Sequence, residues 1–457
     1  MKKTVVLNVV GLTSGLMGAD TPFLTRWSGS AKTAAINTLL PAVTCSVQAT
    51  YLTGKYPEEH GIVGNGWYYK DECEIKFWKQ SNKLVEAPKI WETAKKKDPK
   101  FTCSNMFWWY NMYSSADYSV TPRPQYLADG RKMPDAYSYP ADLRDILQSK
   151  LGTFPLFDFW GPRTSIKSSK WIADASMLVD AMHDPTLTLI YLPHLDYNLQ
   201  RFGPNDVRIK KDLREIDAVC EELIRYYETM GAEVIVLSEY GITEVSRPVA
   251  LNRILREKGY LAIREERGLE LLDAGASKAF AVADHQVAHI YLNDKSILEE
   301  VKKLLSAVPG VEMVLNEEGL KQHKLNHSRA GDLVVVADKK SWFSYYYWLD
   351  DAKAPDFARI VDIHKKPGYD PAEMLVDPKI KFATLKVLFK LLKKKLGFRM
   401  LMDLIPIDDT LIKGSHGRNP ESNSDKAVFI TKNSKLLNSE VIEPVDVHDL
   451  IMAHLDV

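Results

Sequence analysis

Glu215–Gly241 reads EIDAVCEELIRYYETMGAEVIVLSEYG, and its two halves call for different structures. In the first, Ile216, Val219, Cys220, Leu223, Ile224 and Tyr227 recur at helical spacing, one apolar stripe closed by Gly231. In the second, AEVIVLS is a short, unbroken, β-branched run, too continuous for a strand with one wet face. A helix followed at once by a buried strand is the unit of a mostly parallel sheet flanked by helices. TVVLNVV (4–10) and LTLIYLP (187–193) have the same buried-strand texture. The expected fold is therefore α/β, with ligands gathering beyond the carboxyl ends of the strands.

From about residue 260 the texture changes. AFAVADHQVAHIYLN, the helix-like KSILEEVKKLLSAVPG and the strand-like GDLVVVADKKSWFSYYYW read as a small β-α-β unit. Residues 261–350 are expected to form an inserted α+β cap on a core built from 1–260 and 351–457.

Over 457 residues, 60 basic side chains balance 60 acidic ones, which removes any compositional argument for a nucleic-acid partner. Cys45, Cys73, Cys103 and Cys220 show no CxxC spacing, so a reducing compartment, the cytoplasm, is expected. The N-terminal MKKTVVLNVVGLTSGLMGAD places two lysines before an apolar run. The run is short, Asn8 interrupts it and no A-x-A-like site follows, so it reads as a buried strand rather than a secretory signal. No apolar stretch is long enough to span a bilayer. KIKFATLKVLFKLLKKKLGFRML (379–401) is basic and amphipathic. It is read as a helix packed on the core with its lysines in solvent, the alternative being contact with an anionic membrane or a partner. The aromatic runs FWWYNMYSS (107–115) and FDFWGP (157–162) read as core, with pocket walls as the alternative.

Chemistry concentrates in VTCSVQATYLTG (43–54), where two hydroxyls and a thiol stand at the start of an expected helix. A threonine oxygen is a poor nucleophile unless a metal, a base or a positive dipole activates it. At a helix N-terminus the free N–H groups and the macrodipole favour an alkoxide or a bound phosphate. Thr44 or Ser46 equally suits a helix cap.

Thr44, then Thr53-Gly54-x-Tyr56-Pro57, His60-Gly61-Ile62 and Asn65 together resemble the nucleophile segment of the alkaline phosphatase superfamily. The likeness is to the type I phosphodiesterase and nucleotide pyrophosphatase branch, with phosphonoacetate hydrolase nearby. The resemblance implies an alkaline-phosphatase-like three-layer α/β sandwich with a small inserted cap. It implies Thr44 as covalent nucleophile and Asn65 as the holder of a phosphoryl oxygen. Sulfatases share the frame but need a cysteine or serine at Thr44, followed by x-P-S-R, and both are missing here. LTLIYLPHLDYNLQRFGP resembles the family's D-x-x-x-H…G-P metal segment, VIVLSEYGITEV its S-D-H-G strand end, and GSHGR its late histidine-glycine. HSRAGDLVVVAD and DIHKKPGYDP resemble its cap and loop segments.

The departures lie in the metal ligands. Val10 stands where the family's first strand has an aspartate, Gln200 replaces the histidine of D-x-x-x-H, and Glu239-Tyr240 replaces the Asp-His pair. The resemblance therefore implies Asp196, His416, Glu239 and Gln200 as metal ligands, holding one or two divalent ions, with oxygen-rich ligation favouring Mg²⁺ or Mn²⁺ over Zn²⁺. His194, His285, His289 and His327 are further histidines within reach of the site or in the cap. Asp284-His285 lies too far downstream to stand for the family's Asp-His pair. Lys55, Arg201 and Arg418 read as surface charges. The implied function is metal-dependent hydrolysis of a phosphodiester, pyrophosphate or phosphonate bond in a small-molecule substrate, through a phosphothreonine. The alternative is a catalytically silent member that binds a phosphorylated or lipid-like ligand.

Overall fold

The structure, a computed structural model, describes residues 1–128 and 130–456. The runs that decided the fold are its central strands. In chain order the large sheet takes β1 (Thr4–Val9), β2 (Lys32–Ile36), β3 (Cys103–Met106), β4 (Tyr118–Pro122), β5 (Ala136–Tyr139), β6 (Leu187–Leu192) and β7 (Glu233–Leu237). Every residue of β1 and β6 is buried, as their unbroken apolar runs require.

Four strands of a second sheet follow: β8 (Ala279–Asp284), β9 (Val287–Leu292), β10 (Val311–Leu315) and β11 (Leu333–Ala337). The chain then returns to the large sheet as β12 (Ala427–Thr431) and β13 (Val441–Ile442). The large sheet has the order β13-β2-β12-β7-β1-β6-β3-β4-β5. β1 pairs in parallel with both β6 and β7, and the parallel run continues through β3 to β4. Antiparallel pairing enters at β12, which bonds β7 and β2, and at the edge strand β5.

The helices that matter for the site are α1 (Thr44–Thr53), α2 (Ile166–His183), α3 (His194–Phe202), α4 (Ile209–Thr229) and α5 (Ala383–Lys395). α4 is the amphipathic helix of the deciding stretch, and its end is the motif that Gly231 foretold. With φ +72°, Gly231 donates its N–H to the Glu228 carbonyl, and Ala232 donates to the Tyr227 carbonyl, which turns the chain directly into β7. α2 packs on α4 and α1 packs on the C-terminal helix Asp446–Asp456. Together with the sheet they make the expected layered α/β architecture.

The second sheet runs β8-β9-β11-β10 and is antiparallel throughout. AFAVADHQVAHIYLN is thus a hairpin, where the sequence pattern suggested one strand of a β-α-β unit. The chain reverses at His285-Gln286 with His285 at φ +60°, and no glycine or asparagine marks this turn. We propose 261–350 as the inserted cap. Its apolar cluster runs on into Leu40, Cys45, Ala49, Ile62 and Val63, so the cap shares a core with the segment carrying Thr44.

α5 departs from expectation. None of its residues is buried, so it does not pack an apolar face on the core. An amphipathic pattern specifies a face in need of cover without saying what covers it.

One close approach fixes the site's geometry. Thr243–Glu244 pairs with Gly414–Ser415, and a Cβ on Gly414 would lie 2.1 Å from the Leu199 carbonyl oxygen of α3. Gly414 therefore lets the segment ending in His416 lie directly on the helix that carries Asp196. Gly414→Ala is expected to destabilise the protein by about 1–3 kcal/mol in urea unfolding, by forcing those two backbones apart.

Candidate active site

Thr44 is the first residue of α1, preceded by Val43 in extended conformation. Neither hydroxyl of the segment caps the helix. Ser46 donates to the Pro41 carbonyl at 2.6 Å, whereas Thr44 Oγ1 lies 3.0 Å from the Tyr240 hydroxyl. Tyr240 in turn donates to Asp196 Oδ1 at 3.2 Å.

The start of α1 is held by Asn65. Its amide oxygen accepts the Cys45 N–H at 3.0 Å, its amide nitrogen donates to Asp284 Oδ1 at 3.0 Å, and its backbone N–H donates to Asp284 Oδ2 at 2.8 Å. Asp284 Oδ1 also accepts from His285 Nδ1 at 2.8 Å. The left-handed turn at His285 aims its ring into the site. Four rings stack in a column, Tyr240 on His416 at 3.6 Å between centroids, His416 on His285 at 3.8 Å, and His285 on Tyr369 at 3.7 Å. His416 Nδ1 bonds the Ala42 carbonyl at 2.7 Å, so its Nε2 is the free lone-pair nitrogen, 3.9 Å from Asp196 Oδ1. Burial holds His285 and His416 neutral by driving both pKa values well down, and neither Nε2 has a hydrogen-bond partner.

Glu239 follows β7. Its Oε1 accepts from Asn8 Nδ2 and from Gln48 Nε2, each at 2.6 Å, and its Oε2 has no hydrogen-bond partner. Burial raises its pKa to about 8, against the pull of Gln48, Asn8 and Thr44. Burial likewise raises Asp196 to about 7, opposed by Tyr240 and Gln200, and Asp284 to about 6, opposed chiefly by Asn65. The partners that hydrogen-bond Asp196 and Glu239 are amides and hydroxyls, not lysines or arginines.

The donor set sets what metal the site suits. Val10 has nothing to ligate with, and Tyr240 spends its hydroxyl on Thr44 and Asp196. Gln200 turns its Nε2 to Asp196 at 2.8 Å, and its oxygen accepts from Tyr369 at 3.0 Å, so it orients Asp196. Among the described residues, the one group of three ligating side chains within 4.8 Å of one another is His194, Asp212 and Glu215, between α3 and α4. His194 thus faces α4. The paired two-ion centre, which needs open, three-ligand positions about 4 Å apart, does not fit. A single ion fits better. His416 Nε2 is a buried, unpartnered nitrogen on an anchored ring, and the Asp196 carboxylate stands opposite it.

His289 bonds the Val63 carbonyl at 2.9 Å, and His327 lies 3.2 Å from Glu86. Lys55 and Arg418 pair with Glu59 and Glu312, and Arg201 bonds the Met374 carbonyl. Sequence reasoning missed Asn8, Gln48 and Tyr369, and carried His285 only as one of several histidines of the cap or within reach of the site. Asn8 showed only as a polar break in an apolar run, and Gln48 as a polar residue inside a helix. Their signal was a polar side chain in a context that demanded burial.

Thr44, Asp196, Tyr240 and His285 form the polar wall of a cavity of about 1370 Å³. Its other walls carry Trp78, Trp109, Phe157, Phe159 and Trp160, so both aromatic runs reach the cavity, together with aliphatic side chains and charged ones such as Lys132, Arg163, Asp362 and Lys365. Val387, Leu391, Lys394 and Lys395 of α5 complete it.

The family model for type I phosphodiesterase / nucleotide pyrophosphatase matches residues 4–370. The chain belongs to that family. No curated protein matches it in sequence. Among solved structures it is similar to murine ectonucleotide pyrophosphatase / phosphodiesterase 5, an inactive variant in complex with AMP, at 14% identity and a TM-score of 0.60, covering 100% of this chain and 96% of that one. The human protein of the same name gives 14% identity and a TM-score of 0.59, with 100% and 95% covered. Phosphonoacetate hydrolase from Sinorhizobium meliloti, in complex with phosphonoformate, gives 14% identity and a TM-score of 0.62, with 99% and 96% covered. At such identity the likeness establishes the alkaline-phosphatase-like fold, and the family model carries the membership. Membership supports a hydrolase of the phosphodiester, pyrophosphate or phosphonate type. No helix of the described residues is long and apolar enough to cross a membrane.

Glu239 makes stability depend on pH with a definite sign. Below its ordinary pKa of 4.5 both folded and unfolded states hold the proton. Between 4.5 and about 8 the folded state keeps a proton that the unfolded chain has released, so this group's contribution is lost as pH rises. Glu239→Gln is expected to raise Tm at pH 8 by a few degrees and to lose that advantage near pH 4.5, measured by thermal unfolding across pH.

Proposed function

We propose that the protein hydrolyses a phosphodiester, pyrophosphate or phosphonate bond, with Thr44 as covalent nucleophile. The observation that carries this reading is the place of Thr44 Oγ1, on the first turn of α1, on the cavity wall, and hydrogen-bonded at 3.0 Å to Tyr240. The helix N-terminus favours the anionic phosphoryl group there. Asn65 spends one amide hydrogen on Asp284 and turns the other to a phosphoryl oxygen.

Ionised Glu239 takes the Thr44 proton as the threonine oxygen bonds to phosphorus. The bond from phosphorus to the leaving group breaks, and the leaving group takes a proton from solvent. Water then attacks the phosphothreonine, the bond from phosphorus to the Thr44 oxygen breaks, the Glu239 proton returns to that oxygen, and the proton released by the attacking water goes to solvent. Glu239, implied by the resemblance as a ligand, serves better as this base because its amide partners leave Oε2 free. Asp196 and His416 would hold one divalent ion, Zn²⁺, Mn²⁺ or Mg²⁺, with Gln200 fixing Asp196. When bound, the ion supplies positive charge beside the phosphoryl oxygens. A reducing compartment such as the cytoplasm suits four cysteines without a disulfide.

One observation favours a silent, ligand-binding member. Tyr240, which stands at the place of the family's Asp-His histidine, engages the Thr44 hydroxyl in a hydrogen bond. Thr44→Ala is expected to abolish turnover of bis(p-nitrophenyl) phosphate with Tm unchanged, and Glu239→Gln to lower kcat by about 10²- to 10⁴-fold. Unchanged turnover in Thr44→Ala would sink the mechanism.

Chelator treatment is expected to lower the rate by at least about tenfold, with recovery on one equivalent of Zn²⁺ or Mn²⁺ in the native chain and none in Asp196→Asn. Inactivity with every ion would leave the silent reading standing.

A further inference from the structure

α5 carries two apolar stripes. Val387 and Leu391 face the cavity that holds Thr44. On the other side Leu385, Leu388, Phe389 and Leu392 are 61%, 56%, 57% and 53% exposed, and Leu396 just beyond is 65% exposed. An exposed apolar patch of this extent on a monomer marks a surface that something covers.

The charge around the patch narrows the occupant. Residues 379–401 hold eight lysines and arginines and no acidic residue, in a chain whose charges otherwise balance. Lys386 and Lys390 share the single carboxylate of Asp403. Among the described residues Lys393, Lys394 and Lys395 have no acidic partner, and Lys393 lies over the Phe389 ring at 4.8 Å. A second copy seated on this face about a two-fold axis would set the same lysine cluster against itself. A bilayer bearing anionic lipid supplies both complements at once, headgroup charge for the lysines and hydrocarbon for Leu388, Phe389 and Leu392. At 13 residues the helix is about 20 Å long, too short to span a bilayer and suited to lying in its surface.

We propose that α5 docks the protein on an anionic lipid bilayer and sets the Thr44 cavity at its surface, so that the phosphoester reaching Thr44 carries a hydrocarbon tail. The second half rests on the hydrolase reading above. The docking half does not.

The test is flotation of the full chain with phosphatidylcholine vesicles, pure or carrying about 30% phosphatidylglycerol. The native chain and Thr44→Ala are both expected to float with the anionic vesicles only, and to release as salt rises. Replacing Lys393, Lys394 and Lys395 with glutamine is expected to weaken binding by at least about tenfold. The triple change Leu388→Ser, Phe389→Ser and Leu392→Ser is expected to abolish flotation while leaving turnover of soluble bis(p-nitrophenyl) phosphate unchanged. It should also slow turnover of hexadecyl p-nitrophenyl phosphate in anionic vesicles by at least about tenfold. No flotation, equal flotation with neutral vesicles, or a dimer dissolved by the serine variant would overturn the docking. Flotation with no turnover of either ester would overturn the hydrolase reading and leave the docking standing. Equal vesicle-ester rates in the native chain and the serine variant would overturn the hydrocarbon-tail half.

Discussion

Everything at the site hangs on Asp284. One buried carboxylate accepts the backbone N–H and the side-chain amide of Asn65 and the Nδ1–H of His285, and Asn65 passes the constraint to the Cys45 N–H at the head of α1. The cap hairpin and the nucleophile helix are thereby one unit. A shift of the hairpin would move His285, and the ring column from Tyr240 to Tyr369 would move with it. The left-handed backbone at His285 carries a strain that an L-residue tolerates only where its surroundings over-determine it, and the Asp284 bond and the stacking on both faces do so here.

This arrangement meets the electrostatic problem of the family's chemistry in an unusual way. Buried carboxylates repel an incoming phosphoryl group unless metal or protons neutralise them. Here burial pushes Asp196 and Glu239 up to about 7 and about 8, so near neutrality each is substantially protonated. Amides rather than cations satisfy Glu239, which keeps it basic enough to take a proton from a threonine. The cost is a narrow working range. A base with a raised pKa is ionised only when the medium is alkaline enough, which ties turnover and native stability to pH in opposite directions.

The sheet was legible because unbroken β-branched runs at β1, β6 and β7 admit few other structures, and the end of α4 because Gly231 supplies the left-handed residue that its closing hydrogen bonds require. That Thr44, Asn65, Asp196 and His416 come together in space was legible through motif order. The hairpin at His285-Gln286 was not, because its turn uses no residue that favours positive φ. The Glu239 cradle was hidden for a different reason: Asn8, Gln48 and Glu239 lie on separate elements, and only the sheet register and the packing of α1 bring them together. The face of α5 was misread because periodicity reports amphipathicity and says nothing of the medium on the other side.

The shape of the cavity decides where binding energy comes from. Its polar wall offers a few donors around Thr44, and the rest mixes aromatic and aliphatic side chains and part of α5 with charged groups such as Lys132, Arg163 and Lys365. A small phosphoryl compound would fill a fraction of about 1370 Å³ and leave the tryptophans against water. A substrate with a large apolar leaving group would cover them, at about 25 cal/mol for each Å² of apolar surface removed from water. Binding energy drawn from a remote part of the substrate can then hold the phosphoryl group against Thr44 despite the sparse charge there. A site that has lost several metal ligands is most effective on a substrate that does not rely on them to be held, and an amphiphile is such a substrate.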